Sequence, residues 1–322
     1  MKITTKKLVD RGDRLSSICM KLQMVDEMRR IFKNWISVLL SLKRKKLITV
    51  QFRSGIRLLC EPILPFLLSY IMLNNNDECT LYLNATIESL SADGSIVFSY
   101  HGNLVKLWVL RDGFLNGAEG EIFWEREYNF LLVPNGTVID VGGNIGDSAI
   151  YFSLAGFKKV IVMEPFPYNF EMLQVNLKVN RIENVVAINA GYGKTGKINV
   201  SKRRANNTSS LEGNAEQDDS VEVDILTLKD IVDAYVDHEQ NLVLKMDCEG
   251  CEYNILNEEC LTLRMFLKIQ IEFHYGGEEL TKKLISCGFK VKSSVEKRFR
   301  NNNAEDIRMR IGMIYAERIY EL

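Results

Sequence analysis

No stretch of the chain is apolar for the roughly 20 residues that a helix needs to cross a bilayer. The longest such runs, at 35–42 and 63–73, are far shorter, and neither reads as a membrane span. Also missing is a charged start followed by an apolar stretch and a small-residue cleavage site. With seven cysteines, an odd number, scattered along the sequence, the expectation is a reducing, cytosolic setting. No second cysteine pair accompanies the C-x-x-C of Cys248 and Cys251, and the three histidines, His101, His238 and His274, stand far apart. A four-ligand zinc site therefore lacks its ligands, and no metal is assigned. No internal repeat is visible. The composition, 46% hydrophobic and 26% charged over 322 residues, excludes collagen-like, coiled-coil, disulfide-scaffold and disordered chains and favours one large core or two modest ones.

Net charge is nearly absent too, at −1, but this hides a division. Residues 1–60 hold 15 Lys/Arg against 4 Asp/Glu, a net +11, and the other 262 residues carry −12. Such asymmetry bears on partners rather than on fold. Within the basic part, Val25, Met28, Phe32, Trp35, Leu39 and Leu42 recur at helical spacing, with Arg29, Arg30 and Lys33 between them. This predicts an amphipathic helix over 25–42 that runs into Lys43-Arg44-Lys45-Lys46. Its stripe can pack on the rest of the protein, or residues 25–46 can touch an anionic membrane surface or a lipid-linked substrate. Two β-hairpins are expected next, at 48–59 around Ser54-Gly55 and at 96–110 around His101-Gly102-Asn103. Residues 1–115 thus read as an N-terminal extension of helix and hairpins, and 116–322 as the main domain.

Past Asn135-Gly136 the pattern changes. Short apolar strands at 138–141, 160–163, 185–189, 242–246 and 267–273 alternate with helical stretches such as 170–180, where Phe170, Leu173 and Leu177 keep helical spacing. This alternation implies an α/β, Rossmann-like fold: a mainly parallel sheet with helices on both faces. A polar stretch at 201–220, flanked by possible strands at 197–200 and 221–225, interrupts it as a lid or a disordered loop.

The strongest local signal is Asp140-Val141-Gly142-Gly143-Asn144-Ile145-Gly146-Asp147-Ser148, directly after a strand and before a helical stretch. Glycines let the backbone turn tightly there, and the helix start offers unpaired N–H groups. The next strand ends in Glu164, 24 positions after Asp140, where an acidic side chain accepts the ribose hydroxyls of an adenine nucleoside. Dinucleotide enzymes want G-x-G-x-x-G, and the glycines here do not keep that spacing. Asp140 would also repel a pyrophosphate, whereas S-adenosylmethionine carries an ammonium, a carboxylate and a sulfonium but no phosphate. S-adenosylmethionine is thus favoured over NAD.

These motifs resemble the S-adenosylmethionine-dependent methyltransferases of the FkbM type. The family pattern Asp-x-Gly-Ala-Asn-x-Gly is matched by Asp140 to Gly146, with Gly143 in place of Ala. Its Glu-Pro-x-Pro motif is matched by Glu164-Pro165-Phe166-Pro167, followed by Asn169, Asn176 and Asn180. Its Ile-Lys-Ile-Asp-x-Glu-Gly-Ala-Glu is matched by Leu244 to Glu252. The resemblance spans roughly 120–290 and implies a class I methyltransferase fold with S-adenosylmethionine as cofactor. It also implies O-methylation of a sugar, glycolipid or polyketide-type acceptor. Asp140, Gly142, Gly143, Asn144, Gly146, Asp147, Ser148, Glu164, Pro165, Asn169, Ala190 and Asp247 are then the cofactor-binding candidates. Where many such enzymes place an acid near the adenine, Ala190 and Gly191 stand, so backbone contacts would substitute.

Asp247, Glu249 and Glu252 leave a strand together, and carboxylates crowded at short range raise one another's pKa, as at working sites. Alternatively Glu249 caps a helix and Glu252 is a solvated first-turn acid. Glu272 and His274 end the following strand and share a face if it stays regular. Asp247, Glu249, Glu272 and His274 are the candidates for taking a proton from an attacking hydroxyl, and Mg²⁺ on the acidic cluster is a lesser alternative. His101 and His238 read as solvated, and Cys248 and Cys251 as packing residues. Two other functions stay open: a cofactor-binding scaffold without turnover, and an NAD-linked oxidoreductase. Nucleic acid is disfavoured as a partner by the acidic body.

Overall fold

A computed structural model describes residues 25, 28–30, 32–41, 48–51, 57–60, 81–84, 95–100, 102–108, 122–123, 127–202, 220–236, 241–300 and 308–319. Most of the polar stretch at 201–220, together with His101, His238 and the basic run at 43–46, lies outside them. The chain divides into two compact units, Met1–Glu125 and Arg126–Leu322.

In the first unit, α1 (Trp35–Ser41) precedes β1 (Ile48–Gln51) and β2 (Arg57–Cys60), which pair antiparallel. A second antiparallel sheet holds β3 (Leu81–Asn84), β4 (Ser95–Tyr100) and β5 (Asn103–Trp108). Both expected hairpins are present. The helix expected over 25–42 is broken, because the chain turns at Lys33 and Asn34 before α1 begins. Lys33 N–H donates to the Gln51 carbonyl at 2.6 Å, and Gln51 N–H donates to the Asn34 side chain at 2.8 Å. Pairing with β1 thus replaces a helical turn and rotates the apolar stripe. Met28, Phe32 and Val38 are buried, whereas Ile36 and Leu40 are exposed.

The second unit begins with a 3₁₀ helix, Glu127–Leu131, followed by β6 (Thr137–Val141), α2 (Asp147–Leu154), β7 (Lys159–Met163), α3 (Pro167–Val179) and β8 (Val185–Ile188). A side sheet of β9 (Ala190–Tyr192), β10 (Gly196–Ser201) and β11 (Ser220–Leu226) leads to α4 (Leu228–Tyr235) and β12 (Leu242–Met246). A second 3₁₀ helix (Cys251–Asn257), α5 (Cys260–Leu263), β13 (Phe266–Phe273) and α6 (Glu278–Ser286) come next. β14 (Phe289–Ser293), β15 (Lys297–Arg300) and β16 (Arg308–Arg318) close the chain.

The main sheet runs β14-β16-β13-β12-β6-β7-β8, with β15 on β16. Strands β8, β7, β6, β12 and β13 are parallel, and β16 is antiparallel to β13 and β14. All five residues of β6 and of β12 are buried, as suits strands covered on both faces. On one face Ile139, Val141, Leu244, Met246, Ile269 and Ile271 pack with Ile231 of α4 and Leu280 and Leu284 of α6. Each such side chain contributes roughly 1.5–3 kcal/mol by burial. On the other face Tyr128 of the first 3₁₀ helix meets the rings of Tyr151 and Phe152 from α2. From β6 the chain winds outward through β7 to β8, then returns to the opposite side of β6 as β12. That reversal places a topological switch point between β6 and β12, where open α/β sheets form their binding crevice. This is the Rossmann-like architecture expected from the strand-helix alternation.

The cysteines are not all free, contrary to expectation. Cys248 is bonded to Cys251 and Cys260 to Cys287. Paired cysteines are typical of oxidising surroundings, so the cysteine argument for a cytosolic address falls. Among the described residues, no helix is long and apolar enough to cross a membrane.

Candidate functional site

Two turns meet at the switch point, one leaving β6 and the other leaving β12. In the first, Gly142 and Gly146 adopt φ of 83° and 88°, and Asn144 one of 44°. The Gly142 and Gly143 N–H groups donate to the Met163 carbonyl at 3.1 and 2.8 Å, fixing the turn to the end of β7. A Cβ on Gly142 would lie 1.8 Å from the Asp247 carbonyl oxygen, and one on Gly143 2.0 Å from Val162 Cγ2. Here the glycines make room for the fold's own strands. The second case explains why Gly143 departs from the family's Ala.

Asp140 is fully buried beneath this turn. Its carboxylate pairs with Lys245 Nζ at 2.9 Å and accepts from the Ser148 hydroxyl at 2.6 Å. Lys245 also donates to the Gly142 carbonyl at 2.8 Å. Asp140 therefore holds the turn from below and offers the crevice no free carboxylate. Asp147 opens α2, buried, and accepts from Ser148 N–H at 2.9 Å; burial pushes its pKa up to about 6.

Glu164, at the end of β7, accepts from Asn144 N–H at 2.9 Å and from Phe166 N–H at 3.0 Å. Burial lifts its pKa to about 8 against those two hydrogen bonds. Asn169 Nδ2 donates to Asn144 Oδ1 at 2.9 Å, and the Asn169 side-chain oxygen Oδ1 is buried with no partner among the described residues. Pro165 lies between, its carbonyl and that of Glu164 both accepting from Asn189 Nδ2, at 3.1 and 2.8 Å. Ala190 opens β9, buried, one residue beyond.

The second turn leaves β12 at Asp247, whose N–H donates to the Val141 carbonyl at 3.1 Å. Glu249 and Gly250 follow with φ of 55° and 115°. The end of β13 brings His274 against this turn. His274 Nε2 lies 3.2 Å from Glu249 Oε2, and its Nδ1 3.0 Å from Glu252 Oε1. Glu252, fully buried, also accepts from the N–H groups of Gly250 at 2.7 Å and His274 at 3.1 Å. Tyr253 ties the second 3₁₀ helix to the same edge, accepting from Tyr275 N–H at 2.8 Å and donating to the Gly276 carbonyl at 2.9 Å. Burial pulls the His274 pKa down, but the hydrogen bond and charge of Glu252 and the charges of Glu249 and Asp247 outweigh it and lift it to about 9. Burial pushes Glu249 up to about 7, opposed by His274 and aided by Asp247 and Glu252.

The structure thus gathers Asp247, Glu249 and His274, with one ligand atom of each within 4.8 Å of the others. Glu272 is not in this group. It pairs with Met313 on the strand face where Gln270 and Lys268 donate to the carbonyls of Glu127 and Phe130. His274 lies past the end of β13, so strand alternation does not bring the two side chains together. The sequence assigns no role to Lys245 or Asn189 and leaves Glu252 between a crowded carboxylate and a solvated first-turn acid. For Lys245 a signal existed: a lone charge inside the apolar strand Leu242–Met246.

The fold and these two turns define an α/β protein of the Rossmann-like methyltransferase class. Residues 140–291, all within the second unit, match the family described as the Methyltransferase FkbM domain. "Methyltransferase 1" of Beauveria bassiana (strain ARSEF 2860) is 24% identical over 158 residues, which cover 42% of this chain and 64% of that relative. Among solved structures, the methyltransferase FkbM from Methylobacillus flagellatus KT is 17% identical, with a TM-score of 0.38 over 57% of this chain and 44% of the other. TYW2 of M. jannaschii, solved in complex with AdoMet, is 16% identical, with a TM-score of 0.37 over 70% and 87%.

Proposed function

We propose that the protein is an S-adenosylmethionine-dependent O-methyltransferase whose acceptor is a hydroxyl of a sugar, a glycolipid or a related metabolite. The observation that carries this reading is the meeting, at one switch point, of the Asp140–Gly146 turn with the Asp247–Glu252 turn. It brings a nucleoside-type edge beside a proton-accepting cluster. The residues fit the cofactor: Glu164 has lone pairs left on both oxygens for ribose hydroxyls, and the unpartnered Asn169 oxygen is one further buried acceptor. When bound, S-adenosylmethionine supplies an electrophilic methyl group on a sulfonium.

The rest falls to the chain. Asp140 and Lys245 hold the glycine turn rigid, and Asn189 holds the Glu164-Pro165 carbonyls, so the cofactor edge is set before ligand arrives. Asp247 and Glu249, both only partly buried on the second turn, are the carboxylates to which the acceptor's hydroxyl proton can pass as its oxygen attacks. Titration calorimetry with S-adenosylmethionine, followed by turnover to S-adenosylhomocysteine over a panel of glycosides and glycolipids, tests the reading. Glu164→Ala should weaken binding, and Asp247→Ala should abolish turnover while some binding remains. Binding without turnover on any acceptor would leave a scaffold, and tight NAD binding with no S-adenosylmethionine binding would overturn the reading.

The +11 charge of residues 1–60, together with the exposed Ile36 and Leu40 within them, supports peripheral contact with an anionic membrane through residues 25–46. Co-sedimentation with phosphatidylserine vesicles, with and without residues 1–46, tests that. Equal binding by both forms, or none, removes it.

A further inference from the structure

Among the described residues, Asp247, Glu249 and His274 form a group that the proton-transfer role does not exhaust. Donor atoms bound to one ion at about 2.1 Å lie no more than about 4.2 Å apart. The three here lie within 4.8 Å of one another, so a few tenths of an ångström of closure would bring them to a common ion. Two of the three come from the turn after β12 and the third from the end of β13, so neighbouring parallel strands fix their spacing.

A separate observation concerns the far side of the imidazole. Glu252 is 0% exposed and takes His274 Nδ1 at 3.0 Å. Its own position is fixed by the N–H groups of Gly250 and His274. A carboxylate locked behind one imidazole nitrogen sets the tautomer and turns the other nitrogen toward a metal, as outer-shell partners of ligating histidines do. Nε2 faces Glu249, whose side chain is 21% exposed, so the group opens to the outside on that flank. Three carboxylates around one imidazole remain net negative even when the ring is protonated, so the cluster has charge left for a cation to neutralise.

We infer that Asp247, Glu249 and His274 form a divalent-cation site, with Glu252 as the residue that positions His274. Two carboxylate oxygens and one imidazole nitrogen suit Mn²⁺, Fe²⁺ or Zn²⁺ better than the all-oxygen preference of Ca²⁺ or Mg²⁺. Its role toward the acceptor rests on the methyltransferase reading: with Asp247 and Glu249 engaged as ligands, a bound cation would draw in the acceptor hydroxyl and lower its pKa, and the proton would pass to solvent water instead of to a carboxylate. Cation binding itself does not depend on that reading.

The test is a Mn²⁺ titration of the full chain, without a polyhistidine tag, read by electron paramagnetic resonance, with S-adenosylmethionine binding measured separately by calorimetry. Wild type should bind one Mn²⁺ per chain and show nitrogen modulation from the imidazole in the pulsed spectrum. Asp247→Asn and His274→Ala should weaken Mn²⁺ binding at least about 100-fold, the latter with loss of the nitrogen signal. Glu252→Gln should weaken it about 10- to 100-fold and alter the signal without removing it. Glu249→Gln, at a partly exposed ligand, serves if those variants do not fold. Glu164→Gln should leave Mn²⁺ binding unchanged. No Mn²⁺ bound by wild type, or equal binding by wild type and the folded ligand variants, overturns the site even if S-adenosylmethionine binds and turns over. Stoichiometric Mn²⁺ lost in those variants upholds it even if S-adenosylmethionine does not bind.

Discussion

The two turns at the crevice are built on opposite economies of charge. In the glycine turn the acidic groups are met within the chain: the Asp140 charge by Lys245 and the Ser148 hydroxyl, and the Glu164 carboxyl by two backbone N–H groups. In the turn after β12, three carboxylates surround one imidazole. A saturated site is a frame, fixed before any ligand comes, whereas one with surplus charge keeps capacity for a ligand, a proton or a cation. One crevice can thus combine rigid placement of a cofactor with chemistry on its partner.

The largest break in this comparison should come from the frame. Lys245→Met leaves Asp140 charged, buried and unpaired, which should cost about 3–5 kcal/mol in urea denaturation. The double variant Asp140→Asn/Lys245→Met should cost clearly less than the two single losses added; simple additivity would mean that the pair does not couple. Next in size, the Cys260–Cys287 bond, closing a separation of 27 residues, should contribute roughly 3–4 kcal/mol, against roughly 1–2 for Cys248–Cys251 with its separation of 3. Denaturation of the two Cys→Ala pairs compares them, and an equal loss in both would contradict the loop-closure argument.

Gly143→Ala restores the family's residue but pushes a methyl to 2.0 Å from Val162 Cγ2, so about 1–3 kcal/mol of stability should be lost. In a Val162→Ala background the same change should be nearly free; an undiminished loss there would point to another cause. The last effect is a slope with pH. The folded chain keeps the Glu164 proton up to about 8, whereas the unfolded chain releases it near 4.5. The contribution of a raised pKa is complete below the unfolded value and is lost as pH rises through the folded one. Stability should therefore fall between those limits by up to roughly 1.4 kcal/mol per pH unit. Glu164→Gln should flatten that part of the profile, and an unchanged slope in the variant would assign it elsewhere.

How much of this was legible beforehand differs between the same two turns. The frame could be read because its parts are local: an apolar strand, glycines at fixed offsets and an acid at the next strand's tip. The five parallel strands were placed within about a residue, since buried strands write themselves as apolar runs. The antiparallel closure by β16 had no comparable signature. The break in the expected N-terminal helix depends on Gln51, 17 positions from Asn34, and helical periodicity carries no trace of so distant a pairing. The cluster was named in part, but its closing contact joins Glu252 to His274 across 22 positions. Spacing alone leaves Glu252 open between a crowded carboxylate and a solvated acid and joins His274 to Glu272 only if the strand stays regular; the end of β13 and the packed 3₁₀ helix decide both. Lys245 was visible as a charge in an apolar strand, but its partner Asp140 lies one strand away in the sheet and 105 positions away in sequence.

The most direct test of the central claim is a crystal structure of the full chain with S-adenosylhomocysteine. Ribose hydroxyls should rest on Glu164, the glycine turn should be unmoved, and the sulfur should point toward Asp247 and Glu249. A ligand seated away from the β6–β12 switch point, with Glu164 touching only Asn144 and Phe166, would contradict it.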